Sequence, residues 1–96
     1  MEGILERTER EGAGAVGVMV SDLDGQETLE FPDLDPGTPI GDVLGLSASK
    51  MAVSPDVKWL LRDNRTGRLL RKEQTVGEVA RERRADLTMQ PDSILG

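Results

Sequence analysis

The 96-residue sequence contains no cysteine and no histidine. Without cysteine the chain forms no disulfide and has no thiol nucleophile, which fits a reducing compartment. Without histidine it lacks the side chain that most often transfers protons near neutral pH and binds metals. We therefore expect a protein that is not an enzyme, with no catalytic residues, no cofactor and no metal site.

Aromatic residues and long apolar stretches are also scarce. The aromatic side chains are one tryptophan, Trp59, and one phenylalanine, Phe31, so aliphatic side chains must fill the core. No apolar run approaches the roughly 20 residues that span a bilayer. The N-terminal residues also lack the order of basic, apolar and small residues that is typical of a signal peptide. We expect a soluble, cytoplasmic protein that does not insert into membranes.

Charge is unevenly distributed along the chain, whose net charge is −6. Residues 1–56 hold 12 acidic and 3 basic side chains, whereas residues 57–96 hold 6 acidic and 9 basic ones. An acidic chain disfavours nucleic-acid binding, which needs a basic footprint. The basic residues of the second half are either a solvated strand edge that discourages aggregation or a surface for a protein partner. The candidate partner surface comprises Arg62, Arg65, Arg68, Arg71 and Lys72.

The first half predicts a flexible tail, a hairpin and a helix. Residues 1–14 are charged and glycine-rich, and we expect a tail there. Residues 15–31 alternate in the period-2 pattern of strands on both sides of Asp24-Gly25, a strong hairpin signal. The polar link 32–37, which begins at Pro32, is expected to continue neither strand.

Thr38 and Pro39 predict the start of a helix, with Thr38 as N-cap and Pro39 at the first helical position. Asp42 falls in the first turn, near the positive end of the helix dipole. Apolar residues at helical spacing predict the buried side of this helix, with Ser47 between them: Ile40, Val43, Leu44 and Met51.

Residues 57–96 predict a second hairpin, a short helix and a last strand. Val57–Arg62 alternates, residues 63–67 supply a turn, and Arg68–Arg71 is expected to return as a strand with Leu70 inward. Thr75 is expected to cap one helical turn over residues 76–80. The last strand covers residues 85–90 and ends at Pro91, because proline cannot donate to a ladder. Residues 92–96 are expected to be a flexible tail.

The order of these elements predicts an α+β fold with a domain over residues 15–91. A four- to five-strand mixed sheet, with the first and last strands side by side and parallel, would be covered on one face by the main helix. The opposite face would stay polar. The expected core comprises Val16, Val18, Val20, Leu29, Phe31, Ile40, Val43, Leu44, Met51, Trp59, Leu61, Leu70, Leu87 and Met89.

This order and spacing resemble the β-grasp fold of ubiquitin and its bacterial relatives over about residues 15–96. The matching features are the Asp24-Gly25 hairpin, the Leu70 strand, the Thr75-Val76 helical turn, and the Leu87 and Met89 strand. The Trp59 strand and the Thr75-Val76 pair also resemble the bacterial YukD family, ubiquitin-like proteins associated with a specialised secretion system. Fold-level resemblance alone does not fix a function.

The resemblance implies two functions that the sequence leaves open. A protein modifier would be activated at Gly96 and joined to a lysine amine or a thiol by activating and conjugating enzymes, although Leu95 stands where conjugated relatives usually have glycine. Lys50, Lys58 and Lys72 would then be the side-chain acceptors of chains. The alternative is a non-conjugated, YukD-like interaction module or a small accessory subunit of a larger complex such as a secretion system.

The resemblance also places the usual apolar recognition patch of ubiquitin near Arg62 and Gln90. Because these side chains are polar, we expect proteins that read that patch not to bind. In either role the expected partners are proteins, and the chain is expected to be a monomer.

Overall fold

The computed structural model describes residues 14–54 and 56–92. This part of the chain folds in the order β1 (Val16–Ser21), β2 (Thr28–Leu34), α1 (Ile40–Met51), β3 (Trp59–Asp63), α2 (Val76–Val79) and β4 (Arg84–Pro91). The predicted tails, except for Gly14 and Asp92, lie outside the described residues, as does Pro55.

The strands form one mixed sheet in the order β2-β1-β4-β3. Strand β1 pairs with β4 in parallel, from Gly17 opposite Arg84 to Ser21 opposite Thr88. The outer pairs, β1 with β2 and β3 with β4, are antiparallel. The prediction that the first and last strands lie side by side and parallel is therefore confirmed.

The β1–β2 hairpin is confirmed, but β2 is longer than expected. Gly25 adopts a φ of 73° in the turn, a left-handed angle that glycine accepts without steric cost. Strand β2 continues through Pro32 to Leu34, because the register shifts between Val16 and Val18. Two residues of β2 thus lie opposite Gly17, and β2 is an edge strand, where proline is tolerated at a bulge.

Helix α1 covers one face of the sheet with the predicted side chains: Ile40, Val43, Leu44, Ser47 and Met51 are buried. Its start was predicted one residue too early. Pro39 is the N-cap, with an extended ψ of 147°, and no side chain caps the helix. A residue before proline is itself held extended, and the carbonyl of Thr38 accepts from the Val76 amide at 2.9 Å. Thr38 therefore pairs with the first residue of α2 instead of capping α1.

The prediction that Arg68–Arg71 forms a fifth strand is wrong. The segment contributes a single bridge, between Leu69 and Arg62, flanked by Asp63 N–H to Arg68 O at 2.9 Å and Leu70 N–H to Leu61 O at 2.8 Å. It then turns away, because the carbonyls of Lys72 and Gln74 accept from the first amides of α1.

The short helix is confirmed over Val76–Val79. The Thr75 hydroxyl accepts from the amide of Glu78 at 3.3 Å, as expected of an N-cap. The core prediction holds for 11 of its 14 residues, whereas Leu29, Phe31 and Trp59 are half-buried at its margin. The buried residues Val76, Val79 and Ala85 were not predicted.

Candidate interaction surface

The face of the sheet opposite α1 is open, and we call it the open face. Buried side chains such as Val18, Leu61 and Leu87 turn toward the helix, so their neighbours along each strand turn the other way. Strand register then fixes the members of this face: Met19, Ser21, Thr28, Glu30, Leu60, Arg62, Arg84, Asp86, Thr88 and Gln90. Most are polar or charged, and the expectation of a polar face is confirmed.

Arg62 lies in β3, opposite Thr88 of β4. Its other neighbour is Leu69, through the single bridge of the return segment. Directly opposite residues of an antiparallel pair project to the same side of a sheet, so Arg62 and Leu69 share the open face. Arg62 is half-buried, whereas Leu69 is 49% exposed. An exposed apolar residue thus lies directly opposite an arginine across the bridge, and it also lines a groove beside α2 with Arg68 and Arg71.

A hydrogen-bonded cluster fixes the turn after β3 to β4. The Thr88 hydroxyl donates to the side-chain oxygen of Asn64 at 2.8 Å, and the Asn64 side-chain amide donates to Asp86 at 3.3 Å. The backbone amide of Asn64 also donates to the Asp86 carbonyl at 2.9 Å. This cluster satisfies the buried hydroxyl of Thr88 and holds the basic turn against the sheet.

The predicted basic surface divides among three places. Arg65 lines a groove of about 430 Å³ on the open face, together with Met19, Glu30 and Asp86. Arg68 and Arg71 line a second groove beside α2. Lys72 contacts α1, where the Gly41 amide donates to its carbonyl at 3.0 Å. The chain curves around the β3 edge here, so the five cations do not form one patch.

Glu30, Arg84 and Asp86 were not predicted as members of a site, yet they line the open-face groove with Arg65. Strands β2 and β4 bring them together only because both flank β1. The alternation of residues 84–90 gives their face, but no local pattern in the sequence gives their neighbours.

Most charged side chains in the described residues are not paired with one another. Within residues 14–54 and 56–92 there is one ion pair, Arg71 with Glu73 at 4.0 Å, and both side chains are 76% exposed. Such a pair contributes little to stability. Within this part of the chain, the arginines of the open face therefore have no carboxylate partner.

The predicted acceptor lysines are all exposed. Lys50 lies in the last turn of α1, Lys58 precedes β3, and Lys72 follows the return segment. Asp92, assigned to the tail by sequence, is held by its amide, which donates to the Lys58 carbonyl at 2.7 Å. Leu95 and Gly96 lie outside the described residues.

The described part of the chain contains neither a metal-binding cluster nor a membrane-spanning helix. No group of three or more histidine, cysteine, aspartate or glutamate side chains is arranged to hold a metal ion there. None of its helices combines the length and apolar character needed to cross a membrane.

Comparison with solved structures identifies the architecture. Ubiquitin from Caldiarchaeum subterraneum superposes with a TM-score of 0.67 at 18% identity, over 86% of this chain and 100% of that one. The chain has a ubiquitin-like fold. A de novo designed protein based on ubiquitin superposes with a TM-score of 0.63 at 21% identity, over 83% of this chain and 92% of the design.

No protein-family model and no curated protein matches the chain. At these identities the likeness is one of fold, and the ubiquitin-like β-grasp prediction is confirmed at that level. The bacterial and YukD-like resemblance stays a prediction.

Proposed function

We propose that this ubiquitin-like protein acts by binding other proteins through the open face of its sheet and has no catalytic activity of its own. The observation that carries the proposal is the exposed Leu69 directly opposite Arg62 at the edge of the open face. Arginine is enriched at binding hot spots, and a neighbouring apolar contact that excludes water strengthens the interaction of the arginine with its partner. Without histidine or cysteine the chain lacks the usual groups for acid/base or nucleophilic chemistry.

The partner would differ from proteins that read the apolar patch of ubiquitin. Arg62 and Gln90 occupy diagonal positions on β3 and β4, so a partner must supply acceptors for the guanidinium and the side-chain amide. Arginine pairs best with planar carboxylates. We therefore expect an acidic partner at this face. The protein itself would act in the cytoplasm, either as a YukD-like module or as an accessory subunit of a larger complex such as a secretion system.

The test is quantitative affinity purification of the tagged full chain from its native cells, with Arg62→Glu and Leu69→Ser compared with the original. We expect the same partners to be depleted about tenfold or more, the loss produced by about 1.4 kcal/mol. Lys50→Glu makes the same charge change on α1 and serves as the control. Unchanged recovery with both open-face variants would contradict the proposal. The pair Arg68→Glu and Arg71→Glu tests whether the basic turn contributes.

Conjugation through Gly96 is the second candidate, favoured by the match over the whole length of an archaeal ubiquitin. In this reading an activating enzyme adenylates the carboxylate of Gly96 with ATP and releases pyrophosphate. An amine or thiol then displaces AMP to form an amide or thioester, and Lys50, Lys58 and Lys72 accept further copies. Intact-mass analysis from native cells, with and without Gly96, tests it. Higher-mass species that require Gly96 and carry an isopeptide remnant are expected of a modifier. A single unmodified mass in both samples would contradict conjugation and leave protein binding as the proposed function.

A further inference from the structure

A third groove lies on the other side of the sheet, between α1 and the chain that leads into β3. We call it the helix groove, and its volume is about 400 Å³. Leu44, Gly45 and Ala48 line it from the helix, whereas Val57 and Trp59 line it from the facing segment. It is separate from the open face, which points away from α1.

Small residues on one flank of α1 produce this groove. A side-chain carbon added at Gly45 would meet no atom within 4 Å, whereas one added at Gly41 would lie 3.2 Å from the Cβ of Lys72. The helix is therefore packed closely near its first turn and leaves a gap along its second half. The indole N–H of Trp59 donates to the Ser54 carbonyl at 3.0 Å, which fixes the ring as the opposite wall.

Among the described residues that line the helix groove, the charged ones are all cationic. Lys58 and Lys72 are the charged side chains that line it, and both are exposed. The grooves on the open face and beside α2 each include carboxylates, and the chain as a whole carries a net charge of −6. Neither lysine takes part in the ion pair found among residues 14–54 and 56–92. An apolar floor with a cationic rim favours an apolar ligand that carries negative charge.

We propose that the helix groove binds a peptide segment of another protein in which apolar side chains are flanked by aspartate or glutamate. The apolar side chains occupy the space above Gly45 and Ala48, against Val57 and Trp59. The carboxylates lie at the rim, near Lys58 and Lys72, where charge complementarity raises the association rate. Because the two faces are separate, this proposal stands independently of the function proposed for the open face.

The test begins with the folded full-length chain as bait for displayed random peptides of about 14 residues, roughly four helical turns. Gly45→Glu serves for counter-selection, since it fills the groove and lowers its positive charge while replacing glycine by a better helix former. Trp59 is the chain's one tryptophan, so its fluorescence reports binding of selected peptides that themselves lack tryptophan. Circular dichroism and thermal unfolding establish that each variant is folded.

The selected peptides should combine apolar and acidic residues and should change the Trp59 emission. We expect Gly45→Glu, and separately the pair Lys58→Glu and Lys72→Glu, to weaken binding about tenfold or more. Lys50→Glu lies on the same helix outside the groove and should leave the affinity unchanged.

Three results would each overturn the proposal. One is a selection that enriches no peptides, or only peptides without acidic residues. Another is binding that Gly45→Glu leaves intact. The third is self-association of the chain, seen by analytical ultracentrifugation and abolished by Gly45→Glu, which would make a second copy the occupant.

Discussion

Ser47 places a hydroxyl in the middle of the apolar side of α1. The residue is fully buried, and its Oγ has no hydrogen-bond partner among the described residues. A buried polar group without a partner costs about 1–3 kcal/mol, and serine forms helices less readily than alanine. The hydroxyl therefore lowers the stability of the fold.

We predict that Ser47→Ala raises the free energy of unfolding by about 1 kcal/mol, measured by urea denaturation. Ser49→Ala, on an exposed position of the same helix, should give only the helix-propensity gain of a few tenths of a kcal/mol. An unchanged or lower stability for Ser47→Ala would mean that the hydroxyl is satisfied in solution.

Gly77 and Gly45 are both helical glycines with opposite surroundings. A Cβ added at Gly77 would lie 2.9 Å from the carbonyl oxygen of Pro36, whereas one added at Gly45 would meet nothing within 4 Å. The Gly77 amide also donates to that carbonyl at 2.8 Å. Glycine is thus required at one position and dispensable at the other.

We predict that Gly77→Ala destabilises the protein by about 1–3 kcal/mol through overpacking, while Gly45→Ala stabilises it by about 1 kcal/mol through helix propensity. Thermal unfolding checks both, since 1 kcal/mol moves the midpoint of a domain this size by about 4–8 °C. Equal effects of the two substitutions would contradict the close approach at Pro36.

At the scale of the elements, the two helices begin in different ways. The Thr75 hydroxyl accepts from the Glu78 amide, whereas α1 begins at Pro39 without a side-chain cap. We predict that Thr75→Ala costs about 1 kcal/mol. Thr38→Ala, which removes no cap, should cost at most a few tenths of a kcal/mol by comparison. Urea midpoints distinguish the two, and a larger loss at Thr38 would restore it as the functional cap.

The strands and helices that depend on local pattern were predictable from the sequence. Alternation gave β1, β3 and β4, and the apolar spacing gave the buried side of α1. The errors lie where a distant segment determines the bounds of an element. Strand β2 continues through Pro32 because a bulge forms against β1, and Thr38 does not cap α1 because its carbonyl accepts from Val76. Neither partner can be read from the adjacent sequence.

The candidate site follows the same division. The polar character of the open face could be predicted, because it depends on alternation within each strand. The separation of Arg65, Arg68 and Lys72 could not, because it depends on how the chain turns after Asp63. The helix groove requires Trp59 and α1 to be placed relative to each other, and sequence spacing carries no information about that.

At the scale of the whole molecule, we expect charge to oppose folding more than it favours it. The chain carries a net charge of −6, and the described residues include one exposed ion pair. Salt screens both attraction and repulsion between exposed charges. Because salt can weaken few ion pairs among the described residues, its main effect is to reduce self-repulsion, which stabilises the folded state.

We predict that raising sodium chloride from about 0.05 to 0.5 M, which shortens the Debye length to a few ångströms, leaves the free energy of unfolding unchanged or slightly higher. Urea denaturation at the two salt concentrations measures it. A loss of more than about 1 kcal/mol would reveal ion pairing well beyond the usual contribution of an exposed pair.

The parallel pairing of β1 with β4 has a consequence for synthesis on the ribosome. Strand β4 joins β1 to β3, yet it is the last of the described strands to leave the exit tunnel. Until β4 emerges, the nascent chain contains a hairpin and a helix, but the sheet is incomplete and their apolar sides stay exposed. Pairing between strands so distant in sequence forms slowly and leaves apolar surface exposed meanwhile. A chain released before residue 91 would therefore remain a substrate for chaperones and proteases, whereas a chain that includes β4 can close its core in one cooperative step.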